Sequence, residues 1–127
     1  MVLAIAGAAV FQLSAVNAFP AYRLQVVQQF KLTDARVGCT YCHVNASGGA
    51  PWNPFGQAVQ NKLTGDIAAT LLEVLSMNQD ADGDGYSDAL EVFAGTYPGD
   101  KGSAPLVRVA ALQIAFDKAG GVAQFKP

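Results

Sequence analysis

Apolar residues recur at helical spacing along the chain beyond residue 20. The clearest run lies within residues 67–77, where apolar side chains three or four residues apart share one face of a helix: Ile67, Leu71, Leu72, Val74 and Leu75. We predict further helices over residues 21–30, 54–63 and 106–119. A short helix is predicted from residue 34 toward residue 38, and another follows an acidic loop and ends near residue 95.

Capping and turn residues set the ends of these predicted helices. Pro20 opens the first helix, and Thr33 or Asp34 caps the short second one. Ser103 begins the last helix, which the glycine pair at residues 120–121 ends. Residues 107–114 could alternate as a strand, but their alanines favour a helix. The predicted fold class is therefore all-α.

A short apolar stretch, residues 1–18, opens the chain and ends in the small-residue pattern Val16-Asn17-Ala18. This is typical of a secretory signal peptide cleaved before Phe19, although no Lys or Arg precedes Arg23. One alternative is a membrane anchor, for which the apolar part is too short to cross about 30 Å of hydrocarbon. Another is a buried helix. We predict that residues 1–18 are removed on export and that residues 19–127 form one domain.

Composition narrows the classes of function. Charged residues make up 14% of the chain, the formal net charge is −2, and no run of Lys or Arg occurs. A nucleic-acid-binding protein would need a basic face, so we predict no nucleic-acid partner. Hydrophobic residues make up 51% of the chain, which allows a real core.

Residues 39–43 read Cys-Thr-Tyr-Cys-His, the pattern of covalent c-type haem attachment. Two intervening residues place both thiols against the two vinyl groups on one porphyrin edge, and the adjacent imidazole falls under the iron. A redox dithiol would need a βαβ context, and a zinc site would need further Cys or His. The remaining alternative is chance. Cys39, Cys42 and His43, the single histidine of the chain, are therefore the predicted haem-binding residues.

The wider segment, residues 38–56, resembles the haem-binding segment of bacterial monohaem cytochromes c. It reads Gly-Cys-Thr-Tyr-Cys-His-Val-Asn-Ala-Ser-Gly-Gly-Ala-Pro-Trp-Asn-Pro-Phe-Gly. The Gly-Pro-x-Leu signature of class I members does not follow the histidine. The resemblance implies a small helical, cytochrome c-like domain that carries one covalent haem c.

The sixth iron ligand is predicted to be Met77, the one methionine of residues 19–127, which lies 34 residues beyond His43. A thioether ligand would raise the haem potential. Met77 could instead be a flexible core residue. Two further alternatives are ligation by a lysine such as Lys62 and an open sixth position.

Residues 80–91 read Asp-Ala-Asp-Gly-Asp-Gly-Tyr-Ser-Asp-Ala-Leu-Glu, which matches the twelve-residue calcium loop of an EF-hand. Oxygen ligands at alternate positions suit Ca²⁺, and five carboxylates would repel one another without a cation. The alternative is a solvated acidic loop. Gly85 allows the sharp turn, and Tyr86 would use its backbone carbonyl. The other predicted ligands bind through side-chain oxygens: Asp80, Asp82, Asp84, Asp88 and Glu91.

Residues 80–104 resemble the single calcium loops of bacterial dockerin-like and thrombospondin type 3-like repeats. Those loops also run from the Glu into a short helix that ends in Ala-Gly-Thr, here residues 94–96. Position eight of the loop is Ser87, where paired EF-hands prefer an aliphatic residue. The resemblance implies one solitary, structural Ca²⁺ site.

These features together predict an exported monohaem cytochrome c that transfers single electrons and is stabilised by one Ca²⁺. The expected location is periplasmic or extracellular, and the expected partners are redox proteins, including membrane respiratory or photosynthetic complexes. No enzymatic activity and no transmembrane helix in the mature chain are expected. The alternatives are a subunit of a larger electron-transfer complex and a five-coordinate haem protein, either a peroxidase-like enzyme or a gas binder.

Overall fold

The structure, a computed structural model, describes residues 20–127; the predicted signal peptide, residues 1–18, lies outside this range. Five α-helices form the described part: α1 Pro20–Gln29, α2 Pro54–Lys62, α3 Ile67–Ser76, α4 Asp88–Ala94 and α5 Val109–Lys118. Short 3-10 turns lie at Asp34–Arg36, Cys39–Tyr41, Lys101–Ser103 and Gly121–Phe125. Residues 20–127 contain no strand, so the fold is all-α over this range. No helix in it is long and apolar enough to cross a membrane.

Helix α3 lies at the centre of the fold. Asp66 caps its first turn: the Asp66 carboxylate accepts a hydrogen bond from the Ala69 N–H at 3.0 Å. Its apolar face, with Leu71, Val74 and Leu75, is at most 1% exposed. Because α1, α2, α4 and the turn Gly121–Phe125 all pack against α3, this helix holds the two halves of the chain together.

Helices α4 and α5 form the second half of the fold. Ser87 caps α4, and Gly95 ends it in the left-handed conformation at φ 78°, which a glycine adopts without strain. Helix α5 packs against α4 and contributes Phe116, whose ring lies 5.5 Å from that of Phe93 and 6.4 Å from that of Phe125. An aromatic cluster therefore closes this end of the core.

The predicted helices agree with the structure except in two places. The short helix expected from residue 34 is only the 3-10 turn Asp34–Arg36, and Thr33 makes no side-chain capping hydrogen bond. The last helix begins at Val109 rather than at residue 106. Ser103 does not cap it, because its hydroxyl accepts the Tyr97 N–H at 3.1 Å instead. The turn Gly121–Phe125 was not predicted.

Candidate functional site

The segment Cys-Thr-Tyr-Cys-His forms a tight turn on the protein surface. Residues Cys39–Tyr41 make a 3-10 turn, and the His43 N–H donates to the Cys39 carbonyl at 2.9 Å. Tyr41 is 2% exposed and anchors this turn in the core. Cys39 is exposed, Cys42 is half-buried, and the two thiols are not joined in a disulfide. The turn therefore carries both sulfur atoms and the imidazole on a backbone that Tyr41 anchors in the core.

Asn53 holds this turn against the start of α2. Its side-chain N–H groups donate to the carbonyls of Thr40 at 2.9 Å and Tyr41 at 3.0 Å. Its Oδ1 accepts the Gly56 N–H at 2.8 Å and so caps α2, and its own N–H donates to the Cys42 carbonyl. A Cβ on Gly56 would overlap the Cys42 carbonyl oxygen, so only glycine allows this close approach.

Sequence reasoning did not single out Asn53 or Gly56 as site residues. An Asn before a Pro at the predicted start of a helix is a capping signal, and it could have identified Asn53. Its second role, binding the carbonyls of the turn, depends on tertiary contacts that the sequence pattern does not encode.

A mostly apolar cavity of about 280 Å³ opens beside the turn. The predicted haem-binding residues Cys39, Cys42 and His43 all line it, so the structure brings them together. Helices α1, α2 and α3 supply further walls. The rest of the lining is Tyr22, Arg23, Val26, Val37, Gly38, Tyr41, Gly48, Gly49, Trp52, Val59, Ile67 and Leu71.

The imidazole of His43 is fixed on two sides. Its Nδ1 lies 2.7 Å from the Gly49 carbonyl oxygen, and its ring lies 4.3 Å from that of Trp52. Because a carbonyl only accepts, we assign the proton of the neutral ring to Nδ1, which leaves the lone pair on Nε2. A histidine that ligates a metal through one nitrogen commonly donates from the other to a carbonyl in this way.

Arg23 is the cationic residue of the described cavity wall, and it is already paired. Its guanidinium lies 2.8 Å from Asp34 Oδ1 and also donates to the Val37 carbonyl. These contacts tie α1 to the segment that precedes the turn. The hydrogen bond to Arg23 holds the pKa of the exposed Asp34 carboxyl below its usual value.

Burial raises the pKa of the Cys42 thiol to about 12. Redox dithiols and zinc-binding cysteines act as thiolates and have lowered pKa values. The environment of Cys42 instead favours the neutral sulfur, and a thioether is a neutral sulfur.

The structure does not bring the predicted sixth ligands to this cavity. Met77 is 47% exposed and lines a separate cavity of about 370 Å³ that also contains Lys62. The Lys62 ammonium lies 3.0 Å from Glu73 Oε1, in an ion pair. The lining of the cavity beside His43 contains neither methionine nor lysine within the described residues.

Three carboxylates of the acidic loop, residues 80–91, converge. Single oxygen atoms of Asp80, Asp82 and Asp84 all lie within 4.8 Å of one another. The Asp80 carboxylate accepts the N–H groups of Gly83 at 2.7 Å and Gly85 at 2.8 Å. Gly85 has φ 100°, which explains the glycine at the sharp turn of the loop.

Asp88 and Glu91 complete the acidic loop from the first turns of α4. They are 1% and 0% exposed, yet Asp88 Oδ2 and Glu91 Oε2 have no hydrogen-bond partner among the described residues. Burial, together with neighbouring carboxylates, raises the pKa of Glu91 to about 9 and that of Asp88 to about 7. Buried carboxylate oxygens without a partner are rare and costly, and a cation is one group that could satisfy them.

Tyr86, the remaining predicted ligand, lies between these carboxylates in the chain. Its N–H donates to Asp84 Oδ1 at 2.8 Å, and its phenol donates to the Val107 carbonyl at 2.9 Å. The loop is closed by the Asp88 N–H, which donates to the Gln79 carbonyl at 2.8 Å. The structure thus brings Asp80, Asp82 and Asp84 together, while Asp88 and Glu91 follow in α4.

Comparisons of the chain with protein-family models, with curated proteins and with solved structures find no match. What the two sites bind must therefore follow from the chemistry of their own residues.

Proposed function

We propose that the chain is an exported monohaem c-type cytochrome that transfers single electrons and is stabilised by one bound Ca²⁺. The main observation behind the proposal is the position and hydrogen bonding of the His43 imidazole. It lines the same apolar cavity as Cys39 and Cys42, and the Gly49 carbonyl 2.7 Å from its Nδ1 leaves Nε2 as the metal-binding nitrogen.

The residues of the cavity fit a covalent haem. Cys39 and Cys42 would hold it through two thioethers, and His43 would be its axial ligand. The apolar walls from Val26, Val59 and Leu71 suit a porphyrin face and exclude water from it. When bound, the haem supplies an iron that changes oxidation state by one electron. The chain would set its potential and its orientation, and Cys39 is exposed, so the attached edge would be accessible to a redox partner.

The acidic loop supports Ca²⁺ as the second bound group. Three carboxylates converge near the start of the loop, and buried Asp88 and Glu91 present oxygen atoms without partners. Carboxylate-rich loops of this length select Ca²⁺, which accepts six to eight oxygen ligands, over smaller cations. Deprotonated Glu91 is unfavourable where it is buried, and a divalent cation would reverse that penalty.

The haem proposal is tested by exporting the protein from a host that attaches c-type haem. We expect a pyridine haemochrome spectrum and haem that survives acid–acetone extraction, and both should disappear in the Cys39→Ala/Cys42→Ala variant. Thr40→Ala is the matched control, since it changes the same turn without removing a sulfur atom. Haem that stays bound after extraction in the double alanine variant would exclude covalent attachment at these positions.

The Ca²⁺ proposal is tested by titration calorimetry on the purified protein. We expect one site of millimolar or tighter affinity, and its loss in Asp82→Asn. Asp117→Asn removes the same charge from the exposed face of α5 and should leave binding unchanged. Equal Ca²⁺ binding by all three proteins would mean that the ion binds elsewhere.

A five-coordinate haem protein is the second candidate, and the position of Met77 favours it. Met77 and Lys62 line a different cavity from His43, so neither predicted sixth ligand is near the proposed iron position. Ferrous protein would then bind CO readily and show a high-spin spectrum. If the spectrum is low-spin and Met77→Ala converts it to high spin, Met77 is the sixth ligand. The protein would then be an electron carrier rather than a five-coordinate haem protein.

A further inference from the structure

We propose that residues 96–99, called here the strap, position the haem-attachment turn, and that Ca²⁺ in the acidic loop holds the strap in place. This inference rests on the proposed function. It assigns a role to Tyr97 and Gly99, which belong neither to the Cys-Thr-Tyr-Cys-His turn nor to the Ca²⁺ loop.

The strap packs directly on the haem-attachment turn. The ring of Tyr97 lies 5.0 Å from that of Tyr41, and its phenol oxygen accepts the N–H of Gly38 at 3.4 Å. Gly38 immediately precedes Cys39. A Cβ on Gly99 would overlap the side-chain amide of Asn53, the residue that binds the carbonyls of the turn. The strap therefore supports the turn at its first residue, its buried tyrosine and its asparagine anchor.

The other end of the strap is joined to the Ca²⁺ loop through α4. Helix α4 begins inside the loop at Asp88 and carries Glu91 one turn later. Thr96, the first residue of the strap, donates its N–H to the Glu91 carbonyl at 2.9 Å and places its hydroxyl 3.5 Å from Glu91 Oε1. Gly95 allows the left-handed turn between helix and strap. Glu91 is thus both a loop ligand and the residue that fixes the start of the strap.

The Ca²⁺ loop and the haem-attachment turn are then coupled, because α4 and the strap connect them. A cation bound by Glu91 removes the cost of burying that carboxylate and keeps α4 in the conformation that seats Tyr97 on Tyr41. Loss of the cation would loosen α4 and with it the support of the turn that carries His43. The potential and spectrum of a haem depend on ligand geometry and on solvent access, so both should respond to Ca²⁺.

The experiment measures the reduction potential and the absorption spectrum of the haem-loaded protein with excess Ca²⁺ and after chelation. We expect chelation to shift both in the wild type. Tyr97→Phe should also respond, because it keeps the ring on Tyr41 and loses only the 3.4 Å contact with the Gly38 N–H. In Tyr97→Ala and in Gly99→Ala the protein with Ca²⁺ should already resemble the chelated wild type, and chelation should change it little. Leu106→Ala, at a fully exposed position, should behave as wild type.

The outcomes separate this inference from the proposed function. Absence of covalent haem, or of Ca²⁺ binding, would overturn the proposed function itself. If both groups bind but chelation leaves the wild-type potential and spectrum unchanged, the strap does not couple the sites. A chelation response that persists in full in folded Tyr97→Ala and Gly99→Ala would show that the coupling follows another route, and the role of the strap would be wrong. If both variants fail to fold, Thr96→Val decides, because it removes the strap hydroxyl that lies 3.5 Å from Glu91 Oε1. A smaller chelation response in this variant would support the strap, and a full wild-type response would count against it.

Discussion

At the scale of single residues, the Cys-Thr-Tyr-Cys-His turn is held in place by backbone contacts. The Cys42 carbonyl accepts the Asn53 N–H at 2.9 Å, and Gly56 packs against that same carbonyl. A buried carbonyl that loses its donor costs about 1–3 kcal/mol, so the two residues contribute to stability although they carry no chemistry. Their role is to fix the direction in which the turn presents Cys42 and His43.

Gly56→Ala tests this close approach. Its added Cβ would overlap the Cys42 carbonyl, and overpacking of this kind costs about 1–3 kcal/mol. We expect a lower urea midpoint and a smaller fraction of covalently loaded haem. Gly102→Ala is the control, because its Cβ would meet only the side-chain carboxylate of Asp100, at 3.2 Å, and no backbone atom. Equal stability and loading in the two variants would show that α2 can move away from the turn at no cost.

Residue-level prediction from sequence succeeds where the chemistry is local. The three chemical residues of the Cys-Thr-Tyr-Cys-His segment line one cavity, and the first three acidic residues of the loop converge, as their short spacing suggested. Tyr97 supports the turn from 59 positions further along the chain from Gly38, through a contact that exists only after folding. No local pattern encodes such a contact, and the same holds for Met77, whose distance along the chain did not predict which cavity it lines.

At the scale of elements, the hydrophobic spacing of α3 explains why the other helices gather around it. Its interior was predictable because the apolar positions repeat over nearly three helical turns. The start of α5 was not, because Ser103 and Pro105 looked like a helix start while the Ser103 hydroxyl was taken by Tyr97. Residues 121–125 also escaped prediction, since a glycine pair is a stop signal whether or not the chain then returns to the core.

The C-terminal 3-10 turn is an integral part of the core. Phe125 is 2% exposed, its ring lies 5.6 Å from that of Phe30, and its carbonyl accepts the Gln29 side-chain N–H at 3.1 Å. We expect Phe125→Ala to lower the free energy of unfolding by about 3–5 kcal/mol, the usual cost of truncating a buried phenylalanine. Urea denaturation measures it, with exposed Leu106→Ala as the control. A loss below about 1 kcal/mol would place the turn outside the cooperative core.

At the scale of the whole molecule, the two buried acids Asp88 and Glu91 shape how stability depends on pH. Burial and neighbouring carboxylates raise the pKa of Glu91 to about 9 and that of Asp88 to about 7 when no metal is bound. Asp80 behaves oppositely: burial alone would raise its pKa, but the N–H groups of Gly85 and Gly83 lower it. Its effect therefore falls at acidic pH, below the range in which the other two act.

The sign of the pH effect follows from proton binding. Between the ordinary pKa of a carboxyl and its raised value in the fold, the folded chain holds a proton that the unfolded chain has released. The unfolded state then binds fewer protons, so the metal-free protein loses stability as the pH rises from about 5 to 8. Bound Ca²⁺ requires the ionised carboxylates, so Ca²⁺ affinity should rise over the same range.

We therefore expect the melting temperature of the chelated protein to fall from pH 5 to pH 8, while that of the Ca²⁺-loaded protein stays level or rises. For a domain of about 100 residues, a loss of only about 1 kcal/mol lowers the melting temperature by about 4–8 °C, which calorimetry resolves easily. Glu91→Gln removes the group with the larger shift, so its chelated form should lose less with rising pH than the chelated wild type does. Asp117→Asn, on the exposed face of α5, controls for the change in net charge. A chelated wild type whose melting temperature is the same at pH 5 and pH 8 would mean that Glu91 and Asp88 ionise in the fold at no cost, and the case for a cation between them would lose its physical basis.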